Sequence, residues 1–155
     1  MLPRRIGPTV LIAAVVAAAT ACSGSSSSSS STAPTQTFVT DVLTGTVPAP
    51  VAGVLQSASN TFNVGQGGGS VTVTLTSTTE TYPSGVLVAG VTMGLAVGSA
   101  SITGCTPLAN AFTTASPGSA PQLSGSLAAG SYCVQVSDVT NQLGPVAYAV
   151  AVTHP

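Results

Sequence analysis

The sequence predicts an all-β domain, an antiparallel β-sandwich, preceded by an N-terminal signal helix and a serine-rich linker. Three observations carry this. Period-two alternation of apolar and small or polar residues recurs from Thr37 onward. Gly- and Pro-rich turn signals separate these runs at intervals of roughly 8–12 residues. Outside the first twenty or so residues, no window of about a dozen shows the 3.6-residue apolar stripe of a helix. The expected organisation is a signal over 1–21, a flexible tether over 22–36 and the sandwich over 37–155.

The N-terminal segment has the parts of an export signal. Arg4 and Arg5 form a short positive region, and Thr9–Ala18 is an apolar core. That core is shorter than the roughly 20 apolar residues needed to cross a bilayer. Ala19-Thr20-Ala21-Cys22 resembles a bacterial lipobox, although its first position is Ala where the pattern usually has Leu. The resemblance implies that Cys22 is lipidated and becomes the first residue. Ser23 in the next position then implies the outer membrane in a double-membraned cell. Ala19-x-Ala21 also satisfies an ordinary signal-peptidase site, which would leave a plainly secreted protein. Cysteine arithmetic favours lipidation. The chain has three cysteines, and Cys22 is the odd one.

Ser23–Ser31 followed by Thr32-Ala33-Pro34-Thr35-Gln36 offers nothing to bury and reads as a flexible tether. Its reach is roughly 20 Å.

Within the domain, Val71, Val73 and Leu75 alternate with threonines and should face the core. Val146, Tyr148, Val150 and Val152 alternate with alanine, and Tyr132, Val134 and Val136 make a third such set. Val91–Val97 and Thr61–Val64 read as further strands. Gly65–Gly69, Pro83-Ser84-Gly85, Ser116-Pro117-Gly118 and Leu143-Gly144-Pro145 read as turns, the first as a hairpin turn. In an exported protein, Cys105 and Cys133 are expected to form a disulfide. A reactive thiol pair or a metal pair is the alternative, but no second His or Cys pair completes a zinc site.

The stretch from Phe62 to Val152 resembles the bacterial pre-peptidase C-terminal domain. The resemblance is carried by Phe62-Asn-Val64, the Gly65–Gly69 turn, Val71–Leu75, Met93–Val97, Leu127–Val136 and Val146–Val152. It implies a jelly-roll-like sandwich that accompanies secreted hydrolases and aids export, anchoring or substrate contact. No catalytic domain is expected before the sandwich, which departs from that pattern. Some relatives bind calcium through acidic residues on the central strand, whereas Val91–Val97 has no carboxylate, so the metal role is not carried over.

Composition excludes much. Charged residues are 3% of the chain, and beyond Arg5 there is no Lys or Arg. Nucleic-acid binding and attraction to anionic lipid both rest on such residues. Ser-His-Asp catalysis needs a positioned imidazole, and the sole histidine, His154, reads as an exposed side chain near a frayed end. Asp41, Glu80 and Asp138 are too scattered in sequence to read as a catalytic pair or a calcium site. No catalytic residue, metal or cofactor is expected. Tyr82, beside Pro83, is the candidate for an exposed aromatic contact, with an ordinary loop tyrosine as the alternative.

The expected function is a non-catalytic, surface-tethered interaction or envelope-structure module. Its partners would be the membrane, through lipid on Cys22, and a protein or glycan. A carbohydrate or cell-wall accessory module, or an accessory to a hydrolase acting in trans, is the alternative. Low charge also leaves strand edges unguarded, so self-association is expected unless the Pro-rich Val47–Val51 covers an edge.

Overall fold

A computed structural model describes residues 35–102, 104–140 and 142–155. The expected signal, Cys22 and the tether up to Pro34 lie outside the described residues. The described chain forms β1 (Val39–Val47), β2 (Ser57–Val64), β3 (Gly69–Thr81), β4 (Leu87–Ala89), β5 (Met93–Ser101), β6 (Gly104–Ala115), β7 (Leu123–Leu127), β8 (Gly130–Ser137) and β9 (Val146–His154). No helix occurs among the described residues.

The strands make two antiparallel sheets. One has the order β1-β9-β3-β4, with β7 also pairing β3, and the other has the order β2-β8-β5-β6. With the short β4 set aside, the orders are 1-9-3-7 and 2-8-5-6. That is jelly-roll order, in which successive strands alternate between sheets. Only β3–β4 and β5–β6 are consecutive strands of one sheet.

This alternation corrects one expectation. Gly65–Gly69 is not a hairpin turn, because β2 and β3 lie in different sheets. It carries the chain across the end of the sandwich, with Gly68 N–H donating to the Gly65 carbonyl at 3.1 Å. A glycine-rich stretch between two alternating runs is compatible with either geometry, and pairing partners far away in sequence decide between them.

The core lies between the sheets. Val71, Val73, Leu75, Val146, Tyr148, Val150 and Val152 face Phe62, Val64, Met93, Leu95, Val97, Val134 and Val136. The three alternating sets read from the sequence supply much of this core, with Tyr132 packed at its margin. The alanines of β9 lie on the outward face of a strand flanked by β1 and β3. The strand expected over Val91–Val97 runs instead from Met93 to Ser101, as β5.

One side of the sandwich is closed by a side-chain relay. Tyr148 donates its hydroxyl to Asn60 Oδ1 at 2.6 Å, and Asn60 Nδ2 donates to the Thr44 carbonyl at 3.2 Å. This ties β9, β2 and β1 together across the sheets. Burial pushes the Tyr148 hydroxyl pKa above its ordinary value by desolvation. Opposite Tyr148, Gly45 leaves room for the ring, which occupies the space a Cβ would need. In the Val47–Val51 segment, residues 48–50 belong to no strand. Val47 ends β1, and the chain then turns at a Val51–Val54 bridge.

Cys105 and Cys133 form a disulfide, with Cα atoms 5.8 Å apart. They belong to β6 and β8, which are not neighbours, since β5 lies between them. The bond therefore passes over β5 at Gly98, the residue paired with Cys133. A Cβ on Gly98 would sit 2.8 Å from Cys105 Sγ, closer than real contacts allow. A glycine is thus required where the bond crosses. The staple spans 28 residues of sequence. In the chain-entropy view such a loop contributes roughly 3–4 kcal/mol. Denaturant unfolding with and without reductant is expected to show a loss of about 3 kcal/mol on reduction. Superimposable curves would contradict a stabilising staple.

Candidate functional site

Three connections meet where β1 ends and β9 begins. They are the β1–β2 connection (48–56), the β3–β4 turn (82–86) and the β8–β9 loop (138–145). Asp138 N–H donates to the Gln56 carbonyl and Thr81 N–H to the Pro145 carbonyl, both at 2.9 Å. The β3–β4 turn is closed by Tyr82 N–H to the Val86 carbonyl and Gly85 N–H to the Tyr82 carbonyl.

Glu80 organises this end. Strict alternation from Val71 would place it with Thr72 and Thr76, facing outward. The β3–β9 register slips between Leu75 and Ser77, however, and such a bulge flips the residues that follow it. Thr78 and Glu80 consequently point inward, each 2% exposed. The Glu80 carboxylate accepts hydrogen bonds from the backbone N–H groups of Leu143 and Gly144, the latter at 2.8 Å. Asp138, also buried, accepts from Gln142 N–H at 3.3 Å, and Gln142 Nε2 donates to the Gly144 carbonyl at 3.0 Å. Both carboxylates at this end bond to the backbone of one loop.

Beside exposed Thr81, Ser84 and Thr140, the surface here carries several aliphatic side chains. Val51, Val54, Leu55, Val86, Leu87 and Leu143 are each more than half exposed. Tyr82 stands in the same turn as Val86 but is itself half-buried, whereas Val86 and Leu87 are exposed. A shallow hollow of about 210 Å³ lies between the β1–β2 and β8–β9 connections, lined by Pro50, Gly53, Leu55, Asp138, Thr140 and Gln142. The sequence pointed to this region through Tyr82 alone. It gave no sign of these aliphatic residues, which come from three separated loops and the start of β4.

His154 departs from expectation. It is buried, and it closes β9 opposite Val39. Its ring stacks obliquely on Phe62 with centroids 5.5 Å apart, and Nε2 lies 3.1 Å from Asp41 Oδ2. The period-two set of β9 extends from Val146 to His154, and pairing with β1 holds this end of the strand in place. The other ring nitrogen contacts the Pro155 carbonyl rather than a serine or threonine hydroxyl. Among the described residues, no three His, Cys, Asp or Glu side chains gather as a metal-ligating group.

A second concavity, of about 290 Å³, opens on the flank of the sandwich between β7 and β6. Its floor is Val71, Val73 and Val97, and no charged residue lines it.

No family model, curated protein or solved structure matches this chain. The jelly-roll sandwich and its disulfide rest on the geometry above.

Removing the Glu80 carboxylate strands two N–H groups at a buried position. Glu80→Ala is expected to cost about 2–4 kcal/mol. Glu80→Gln keeps an acceptor and is expected to lose less. Chemical denaturation of the two variants checks this, and a Glu80→Ala variant as stable as wild type would contradict it.

Proposed function

We propose that the chain is a surface-tethered, non-catalytic β-sandwich that works as an interaction or envelope-structure module, with the loop end as its contact surface. One observation carries the reading. Three loops and the first residue of β4 present six exposed aliphatic side chains, while the two carboxylates at that end are buried on backbone amides. Exposed apolar surface of this kind marks an interaction site more readily than scattered single residues do.

The position of the linker supports the same reading. Gln36 donates to the Gly68 carbonyl beside the β2–β3 crossing, at the end of the sandwich opposite the loops. A nine-residue strand such as β1 is about 30 Å long. The described chain thus starts at the end of the sandwich away from the loops, and this start carries no loop-end residue. The lipobox-like Ala19–Cys22 and the odd cysteine support a lipid anchor on Cys22. Binding at the loop end should depend little on salt, because no exposed charge contributes.

The test is photo-crosslinking in the native envelope, with a photoreactive residue at Leu87 or Val54, read by mass spectrometry. A dominant protein or glycan adduct that persists at high salt is expected, on a chain whose first residue is an acylated Cys22. Adducts no more frequent than from an exposed position on the outer face of β9 would overturn the loop end as contact surface. An unmodified Cys22 would overturn the lipid anchor.

A further inference from the structure

We propose that the flank groove between β7 and β6 receives an extended, uncharged peptide segment of a partner protein, added as a strand along the free edge of β7. This surface is separate from the loop end.

Every residue of β7, Leu123 to Leu127, lines the groove, although Leu123 and Leu127 pack inward and Ser124 and Ser126 face out. A cavity bordered by both faces of a strand lies along its backbone. There β7 has an edge to offer, because it pairs with β3 alone among the described strands. Unpaired edge N–H and C=O groups are met by another strand, and a small apolar molecule cannot satisfy them.

The opposite wall has moved aside. On β5, Ala96 pairs with Phe112 and Gly98 with Pro107, so Leu108–Ala111 stand opposite Val97 alone. This wide bulge turns at Asn110, which takes a left-handed backbone conformation with φ 60°. The β6 edge is thereby diverted where the groove opens.

The groove also has a notch. Gly125 pairs with Val71 and shares its inward face, yet a Cβ there would meet nothing within 4 Å. Leu123 and Leu127 flank this empty position at strand spacing. An aliphatic side chain of an added strand fits over it, on a floor of Val71, Val73 and Val97. The volume, about 290 Å³, is roughly twice the ~150 Å³ that admits benzene, so it holds more than one small side chain. The absence of charge in the lining selects an uncharged segment.

The probe is a fluorescein-labelled peptide copying Gly69–Thr76 (GSVTVTLT), the alternating sequence whose first part β7 already pairs within the fold. Fluorescence anisotropy with the purified full chain is expected to show saturable, salt-insensitive binding. Gly125→Leu places its Cβ in open space at the notch and is expected to weaken binding roughly tenfold or more while leaving the unfolding midpoint no lower. A peptide with proline in place of its central threonine is expected not to bind. No peptide binding, or binding that Gly125→Leu leaves unchanged, would overturn the proposal. Uptake of the neutral dye Nile red that Gly125→Leu abolishes, without peptide binding, would assign the groove to a small apolar ligand instead. A Gly125-dependent dimer in sedimentation without peptide would assign it to a second copy. None of these outcomes bears on crosslinking from Leu87 or Val54.

Discussion

Buried backbone N–H and C=O groups have to find partners, and this sandwich supplies them with almost no charged side chains to help. Ladders do most of that work. Where they stop, single amides and carboxylates take over. On β3, the pairing with β7 ends at Val73 and that with β4 begins at Thr79. Gln122 fills the interval, its Oε1 accepting from Leu75 N–H at 2.7 Å and its Nε2 directed at the Leu75 and Ser116 carbonyls. Asn60 does the same for the Thr44 carbonyl on β1, and Glu80 does it for two amides of the β8–β9 loop. The scarce polar side chains of the interior are spent on the backbone, and the surfaces they leave are uncharged.

That constraint explains why the bulge in β3 matters beyond its own strand. One extra residue near Thr76 turns Glu80 inward, and Glu80 then holds the β8–β9 loop against the β3–β4 turn. The same economy appears at the disulfide. A bond between two strands that are not neighbours needs a bare backbone beneath it, and β5 provides one at Gly98. Both features are local irregularities that fix the relative positions of distant segments.

The regular parts of the fold were legible because alternation is a local property. Val71–Leu75, Tyr132–Val136 and Val146–Val152 showed which face was core, and cysteine arithmetic paired Cys105 with Cys133. What was illegible depends on pairing across the chain. The Gly65–Gly69 stretch looks the same whether the next strand returns beside the last or crosses to the other sheet. Glu80 sits five residues after an unbroken alternating run, and nothing in that run announces the slip at Thr76. His154 is the instructive case. Its nearness to a frayed end reads as exposure, yet it continues the β9 alternation beyond Val152, and pairing with β1 holds it inside. The loop-end cluster needed three loops brought together, so only Tyr82 hinted at it.

The account of the contact surface rests on loops that are held in place. Hydrogen exchange of the Leu143 and Gly144 amides tests this most directly, because the Glu80 carboxylate is their acceptor. The account predicts protection of both amides comparable to that of the β9 core, lost selectively when Glu80 is replaced by Ala. Exchange of these amides at the rate of an open loop in the wild-type protein would contradict it.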